Sequence, residues 1–152
     1  MTRATIDAYY AAFNAGDTEG MIACLTPDVA HHVNEGTIRV GTDKFRAFCE
    51  HMSRCYSERL TDIVVMIAED GTRAAAELTV NGTYLATDAG LPEARGQGYV
   101  LPAGTFFSLE DGKISRDAQA RKVIEGRAHI RAEEAAEGQA HAETWATQSA
   151  RL

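Results

Sequence analysis

Leu60-Thr61-Asp62-Ile63-Val64-Val65-Met66-Ile67-Ala68-Glu69-Asp70-Gly71-Thr72-Arg73-Ala74-Ala75-Ala76-Glu77-Leu78-Thr79-Val80 is the stretch that decides the fold. Two β-rich runs, Leu60 to Glu69 and Thr72 to Val80, flank Asp70-Gly71, a dipeptide suited to the positive φ angles of a tight hairpin turn. The pattern recurs downstream, where Gly98 to Glu110 and Lys113 to Ala120 flank Asp111-Gly112. Asn81-Gly82 reads as a bulge or bend, with Tyr84 to Thr87 continuing the strand. Between the hairpins, Asp88 to Gly96 is a loop that combines Pro92 with glycines and feeds an aromatic strand, a stiff segment suited to shaping a cavity wall. Two hairpins in the second half of the chain predict a long antiparallel meander.

The first half has a different period. Ile6, Tyr9, Tyr10 and Phe13 fall at i, i+3, i+4 and i+7, which predicts an amphipathic helix over residues 3–15 that ends near Gly16. Asp17 is placed to cap a second helix, whose stripe of Met21, Cys24 and Leu25 stops at Pro27. Asp28 to Asn34 reads as a strand, Gly36 turns the chain, and Thr37 to Val40 returns it. Thr42 can cap a third helix over residues 43–56, with Phe45, Phe48, Cys49, Met52, Cys55 and Tyr56 on one face. Helices first and a meander afterwards predict an α+β domain, with N-terminal helices packed into a strongly curved antiparallel sheet around a central pocket. Residues 1–120 form this one domain. Residues 121–152 hold eight alanines but few large apolar side chains, which predicts a helical tail that docks on a partner subunit or frays.

Charge and composition narrow the functional classes. The net charge of -7 repels phosphate backbones and anionic membrane surfaces, so neither nucleic acid nor membrane is an expected partner. The three cysteines, Cys24, Cys49 and Cys55, lack CxxC spacing, and there is no HExxH, so no disulfide framework and no metal are expected. Gly96-Gln97-Gly98 precedes a strand rather than a helix and is not a phosphate cradle. No run approaches the roughly 18 apolar residues of a membrane span, and no secretory signal opens the chain. A cytoplasmic protein without a cofactor is the expectation.

Tyr9-Tyr10-Ala11-Ala12-Phe13-Asn14-Ala15-Gly16-Asp17, His31-His32-Val33-Asn34-Glu35-Gly36 and Thr61-Asp62-Ile63-Val64-Val65-Met66, with the glycine-rich loop, resemble the ketosteroid isomerase-related and SnoaL-like polyketide cyclase proteins. These belong to the cone-shaped, nuclear transport factor-like superfamily. The resemblance covers about residues 3–118 and implies a deep pocket for a hydrophobic ligand and a homodimer through the outer face of the sheet. It also implies that Tyr9 stands where the isomerase carries its oxyanion-donating tyrosine. The isomerase's catalytic aspartate falls near Val33 and its buried acid near Gly104, neither of which can replace it. Steroid isomerisation by that apparatus is therefore not expected. In closer relatives the position of His32 tends to be aspartate, and the last strand runs on into a Tyr-Asn and a tryptophan-containing end. Here Ile114 to Arg121 leads instead into the alanine-rich tail, through genuine variation or a change of reading frame.

The candidate catalytic residues are His31, His32 and Tyr9. Adjacent strand residues point to opposite faces, so only one histidine enters the pocket; the resemblance to the superfamily strand, whose inward set includes the residue two before the matched aspartate, implies that it is His31. Such an imidazole can take a proton from carbon beside a carbonyl, or it can be a core histidine held by a backbone carbonyl. Tyr9 can stabilise an enolate or simply pack. Asn34, Phe48, Met52, Tyr84, Arg95, Tyr99 and Phe106 are the candidate ligand contacts. Arg95 can clamp a carboxylate, although pairing with a neighbouring acid such as Glu93 or Asp88 is favoured. His51 is expected to be solvated and Cys49 to be a small buried hydrophobe. Two functions fit: a cofactor-free isomerase or cyclase acting on a hydrophobic carbonyl compound, and a non-catalytic ligand-binding or dimerisation domain of the same shape.

Overall fold

A computed structural model describes residues 1–33 and 36–121. In chain order its elements are α1 (Thr2–Ala15), α2 (Thr18–Ala23), β1 (Leu25–Val33), β2 (Arg39–Val40), α3 (Thr42–Cys55), β3 (Tyr56–Ile67), β4 (Arg73–Tyr84), β5 (Gly98–Glu110) and β6 (Lys113–Arg121). Helix α1 ends because Gly16 adopts φ 69°, a left-handed geometry that costs glycine nothing. Asp17 then caps α2, its Oδ1 accepting from the Gly20 N–H at 2.8 Å.

Side chains of α1 fix that helix against the sheet. Thr2 donates to the Gly71 carbonyl at 2.8 Å and Thr5 to the Gly112 carbonyl at 2.6 Å, so one helical turn is tied to both Asp-Gly hairpins. At the other end, Asn14 exchanges two hydrogen bonds with the backbone of Leu60, at 2.9 and 2.8 Å. The buried face of Ile6, Tyr9 and Tyr10 is thereby pressed into a core that includes Val29, Phe45, Leu78, Val80, Phe107 and Ile114.

The sheet has the order β2-β1-β6-β5-β4-β3, curled but open. Every neighbouring pair is antiparallel except one: β1 runs parallel to β6, with His31 beside Asp117 and Val33 beside Gln119. This corrects the expectation of a wholly antiparallel sheet. The two strands that pair in parallel are separated by most of the domain, and local patterning carries no record of such a pairing.

Register shifts interrupt three of the strand pairs, β1–β6, β3–β4 and β5–β6. The β3–β4 register shifts between Thr61 and Val64, where Asp62 has φ 53°, so Leu60 and then Ile63 and Val65 all turn toward the core. A second shift lies between Ser108 and Leu109 on β5, opposite the Ile114 to Arg116 segment of β6. Asn81-Gly82, expected to be a bulge, runs in unbroken register instead. Gly82 is required there because the Tyr99 ring occupies the space a Cβ would need.

Element ends also differ from expectation. Pro27 lies within β1 rather than ending a helix, at a place where the β1–β6 register skips from Leu25 to Ala30 and a missing N–H breaks no ladder. Thr42 is the first residue of α3, with Gly41 at its N-cap. Arg121 completes β6, while the rest of the expected tail, residues 122–152, lies outside the described residues, as do Asn34 and Glu35. Among the described residues no helix is long and apolar enough to cross a membrane.

Candidate functional site

A cavity of about 460 Å³ opens between α1, α3 and the concave face of the sheet. Phe13, Phe45, Phe48 and Met52 give it apolar walls, and Tyr9, His31 and Gln119 supply polar groups. The α1 hydrogen bonds described above position Tyr9. The parallel pairing of β1 with β6 positions the other two polar groups, because it sets His31 next to Asp117 on the inner face.

Tyr9, only 2% exposed, donates its hydroxyl to Asp117 Oδ2 at 2.7 Å, and Asp117 itself is fully buried. Burial raises the proton affinity of Asp117 to a pKa of about 6, a shift only partly offset by the Tyr9 hydroxyl and the Gln119 amide. Asp117 Oδ1 has no hydrogen-bond partner among the described residues. Burial, and secondarily the charge of Asp117, raises the Tyr9 phenol well above its ordinary range, so it remains protonated.

His31 is fully buried and packs edge-on against Phe45 and Phe48, with ring centroids at 5.0 and 4.7 Å. Burial, followed by the charges of Arg39 and His32, lowers its pKa to about 4 and leaves the imidazole neutral near pH 7. Its Nε2 lies 3.5 Å from Gln119 Nε2, and its Nδ1 has no hydrogen-bond partner among the described residues. Arg39 stands behind this wall, its guanidinium 4.8 Å from the centre of the Phe48 ring. Cys49 also borders the cavity, but burial pushes its thiol up to about 11, which keeps it from acting as a thiolate nucleophile.

The other candidates distribute unevenly. Phe48 and Met52 line the cavity. His32 sits one residue out of phase with His31, half-buried beside Ala118. Phe106 does not line the cavity: it turns to the convex face and is 62% exposed, whereas Phe107 points inward. Tyr84 is wholly buried outside the cavity, stacked on Tyr56 and donating to the Pro92 carbonyl at 2.9 Å, where it pins the loop. Tyr99 borders a separate open groove, with its hydroxyl on Glu58 Oε1 at 2.6 Å. Arg95 is exposed in the loop, 3.6 Å from Glu93, and does not reach the cavity. Asn34 lies outside the described residues. His51, expected to be solvated, is half-exposed and also meets Asp88 Oδ1 at 3.0 Å, and donor atoms of His51, Cys55 and Asp88 all lie within 4.8 Å of one another.

Sequence reading passed over Asp117 and Gln119. Strict alternation from the inward Ile114 would send Asp117 outward, but the register shift opposite Ser108 reverses the phase and turns it in. An aspartate within the expected last strand was the available signal.

The model of the SnoaL-like domain matches residues 6–117. A candidate polyketide cyclase from Silicibacter sp. TM1040 is 62% identical with a TM-score of 0.83, the match covering 84% of this chain and 93% of that one. Another from Pseudomonas putida KT2440 is 53% identical with a TM-score of 0.80, covering 82% and 94% respectively. A third, from Xanthomonas campestris pv. campestris, is 44% identical with a TM-score of 0.83, covering 85% and 96%. No curated protein matches the chain.

Proposed function

Since the chain belongs to the SnoaL-like family, we propose that it is a cofactor-free cyclase or isomerase that moves a proton on a hydrophobic carbonyl compound. The observation that carries this reading is the 2.7 Å hydrogen bond from Tyr9 to the buried Asp117 at the edge of an apolar cavity. A carbonyl compound seated among Phe13, Phe48 and Met52 brings its polar end to Tyr9 and Gln119. The C–H proton beside the carbonyl passes to the Tyr9 oxygen while the Tyr9 proton passes to Asp117 Oδ2, and the Gln119 amide donates to the enolate oxygen. Return of the proton to another carbon isomerises the substrate. Attack of the enolate carbon on a second carbonyl closes a ring.

Asp117, with a pKa of about 6, is better matched to neutral pH than His31 at about 4, so the role of base expected of His31 passes to Asp117. His31 then serves as a neutral wall of the site. The polyketide-cyclase names of similar proteins favour a polyketone substrate. Exposed Val64, Met66 and Phe106 give the convex face an apolar patch, which supports a homodimer through the outer sheet; sedimentation of the purified chain as a monomer would remove that part. The expected site of action is the cytoplasm.

Incubating the full chain with an apolar 1,3-diketone in D₂O and following loss of the α-proton by NMR tests the chemistry. Exchange catalysed by wild type and lost in Asp117→Asn, with diketone binding retained, supports the relay. Binding without catalysed exchange in either protein would leave only the ligand-binding function.

A further inference from the structure

A second constellation lies at the C-terminal end of α3, outside the Tyr9–Asp117 pair. His51 and Cys55 are one helical turn apart at i and i+4, and so share a face. The segment following β4 is folded against that face because the Leu85 and Ala86 amides both donate to the Cys55 carbonyl, at 2.7 and 3.3 Å. This return brings Asp88 over the helix end. We propose that His51, Cys55 and Asp88 form a binding site for a borderline-soft divalent transition ion, zinc being the probe of choice, through Nε2, Sγ and a carboxylate oxygen.

Three observations carry the assignment. All three donor atoms lie within 4.8 Å of one another, and His51 Nε2 is already 3.0 Å from Asp88 Oδ1. Around a tetrahedral zinc with bonds of about 2.0–2.3 Å, donors stand roughly 3.3–3.8 Å apart, a contraction that side-chain rotation supplies. The donor set of one nitrogen, one sulfur and one oxygen suits zinc or cobalt, and a hard cation such as magnesium would favour oxygen alone. Finally, the carboxylate is already oriented from outside the set: Tyr56 donates to Asp88 Oδ2 at 2.8 Å and the Ala89 amide to Oδ1 at 2.9 Å. Access is graded in the way a loading site needs, with Cys55 6% exposed at the back and the side chains of His51 and Asp88 42% and 21% exposed in front.

Three protein donors leave one position for water or an external ligand. On binding, the Cys55 S–H bond breaks, an S–metal bond forms and the proton leaves to solvent, while His51 binds through an unprotonated Nε2 and keeps its proton on Nδ1. The ion would clamp the segment after β4 to α3. Because Met52, Tyr56 and Leu85 from these same segments line the cavity, the clamp also stiffens one of its walls.

Titrating the full chain with Co²⁺ under reducing conditions tests the site. One equivalent should bind with visible d–d bands of a four-coordinate ion and a thiolate-to-cobalt band in the near ultraviolet, and Zn²⁺ should displace it. Cys55→Ser should remove the thiolate band, and His51→Gln and Asp88→Asn should each weaken Zn²⁺ binding by at least about tenfold. Cys24→Ser and the double variant His129→Gln/His141→Gln should leave the spectrum unchanged. If Cys55→Ser fails to fold, the half-exposed His51→Gln decides the question by calorimetry. Absence of a thiolate band, or Zn²⁺ affinity retained in His51→Gln, overturns the assignment.

Discussion

Three tyrosines among the described residues donate a short hydrogen bond to a carboxylate, and two of them make the instructive pair: Tyr9 to Asp117 at 2.7 Å and Tyr99 to Glu58 at 2.6 Å. Their settings differ. Asp117 is sealed beneath the cavity, held by no ion pair among the described residues, and burial alone lifts its pKa to about 6. Glu58 is only half-buried and borders an open groove where the ends of β3, β4 and β5 meet water. In the proposed function the same bond is a proton-transfer device in one place and a brace in the other. Solvent exclusion makes the difference, because it raises the proton affinity of a carboxylate toward neutral pH.

The sharpest way to break this contrast is Asp117→Asn, which keeps the shape and removes the proton acceptor. Catalysed α-proton exchange should fall about 10³-fold while ligand affinity changes little. Next comes the linkage of Asp117 to stability. Its folded pKa lies above its unfolded value of 3.8, so its contribution is complete below that value and is lost as pH rises through about 6. Urea unfolding should therefore show wild type losing on the order of 3 kcal/mol relative to Asp117→Asn between those limits, then no further change. His31 has the opposite sign: with its folded pKa lowered from 6.5 to about 4, its contribution is present above 6.5 and disappears as pH falls through 4. A His31→Gln variant should flatten that acid limb.

Smaller effects refine the comparison. Tyr9→Phe, which cuts the relay but leaves the buried carboxyl, should slow exchange about 10²-fold, and combining it with Asp117→Asn should cost little more, since the two act as one unit. Tyr99→Phe should change exchange by less than about threefold. A loss at Tyr99 equal to that at Tyr9 would place the open groove, rather than the sealed pair, at the centre of function.

How much of the site was legible follows from the range of each signal. The stripe of Ile6, Tyr9, Tyr10 and Phe13 marked the helix that delivers Tyr9, since a 3.6-residue period is written locally. The alternation of β1 required one of His31 and His32 to face inward, and the family resemblance, not the alternation, pointed to His31. The same rule applied to β5 puts Phe107 on the inner face with Tyr99, Leu101, Thr105 and Leu109 and Phe106 on the outer one, so the expectation that Tyr99 and Phe106 both meet the ligand ran against it. Asp117 was hidden by a register shift that reverses the phase of β6. Nothing local associated Cys55 and His51 with Asp88, which comes from the loop after β4.

By itself the sequence determined the elements: three helices, the second ending earlier than Pro27 suggested, two hairpins turning at Asp-Gly, and the order that makes an α+β domain, because periodicity and turn chemistry act over a few residues. Only the tertiary structure decided that the first long strand lies parallel to the last. It thereby set His31 beside Asp117 and brought Tyr9 onto a carboxylate 108 positions away. Such pairings are chosen by the closing of the whole sheet around its core, and burial, which gives Asp117 its usable proton affinity, exists only once that closure is complete.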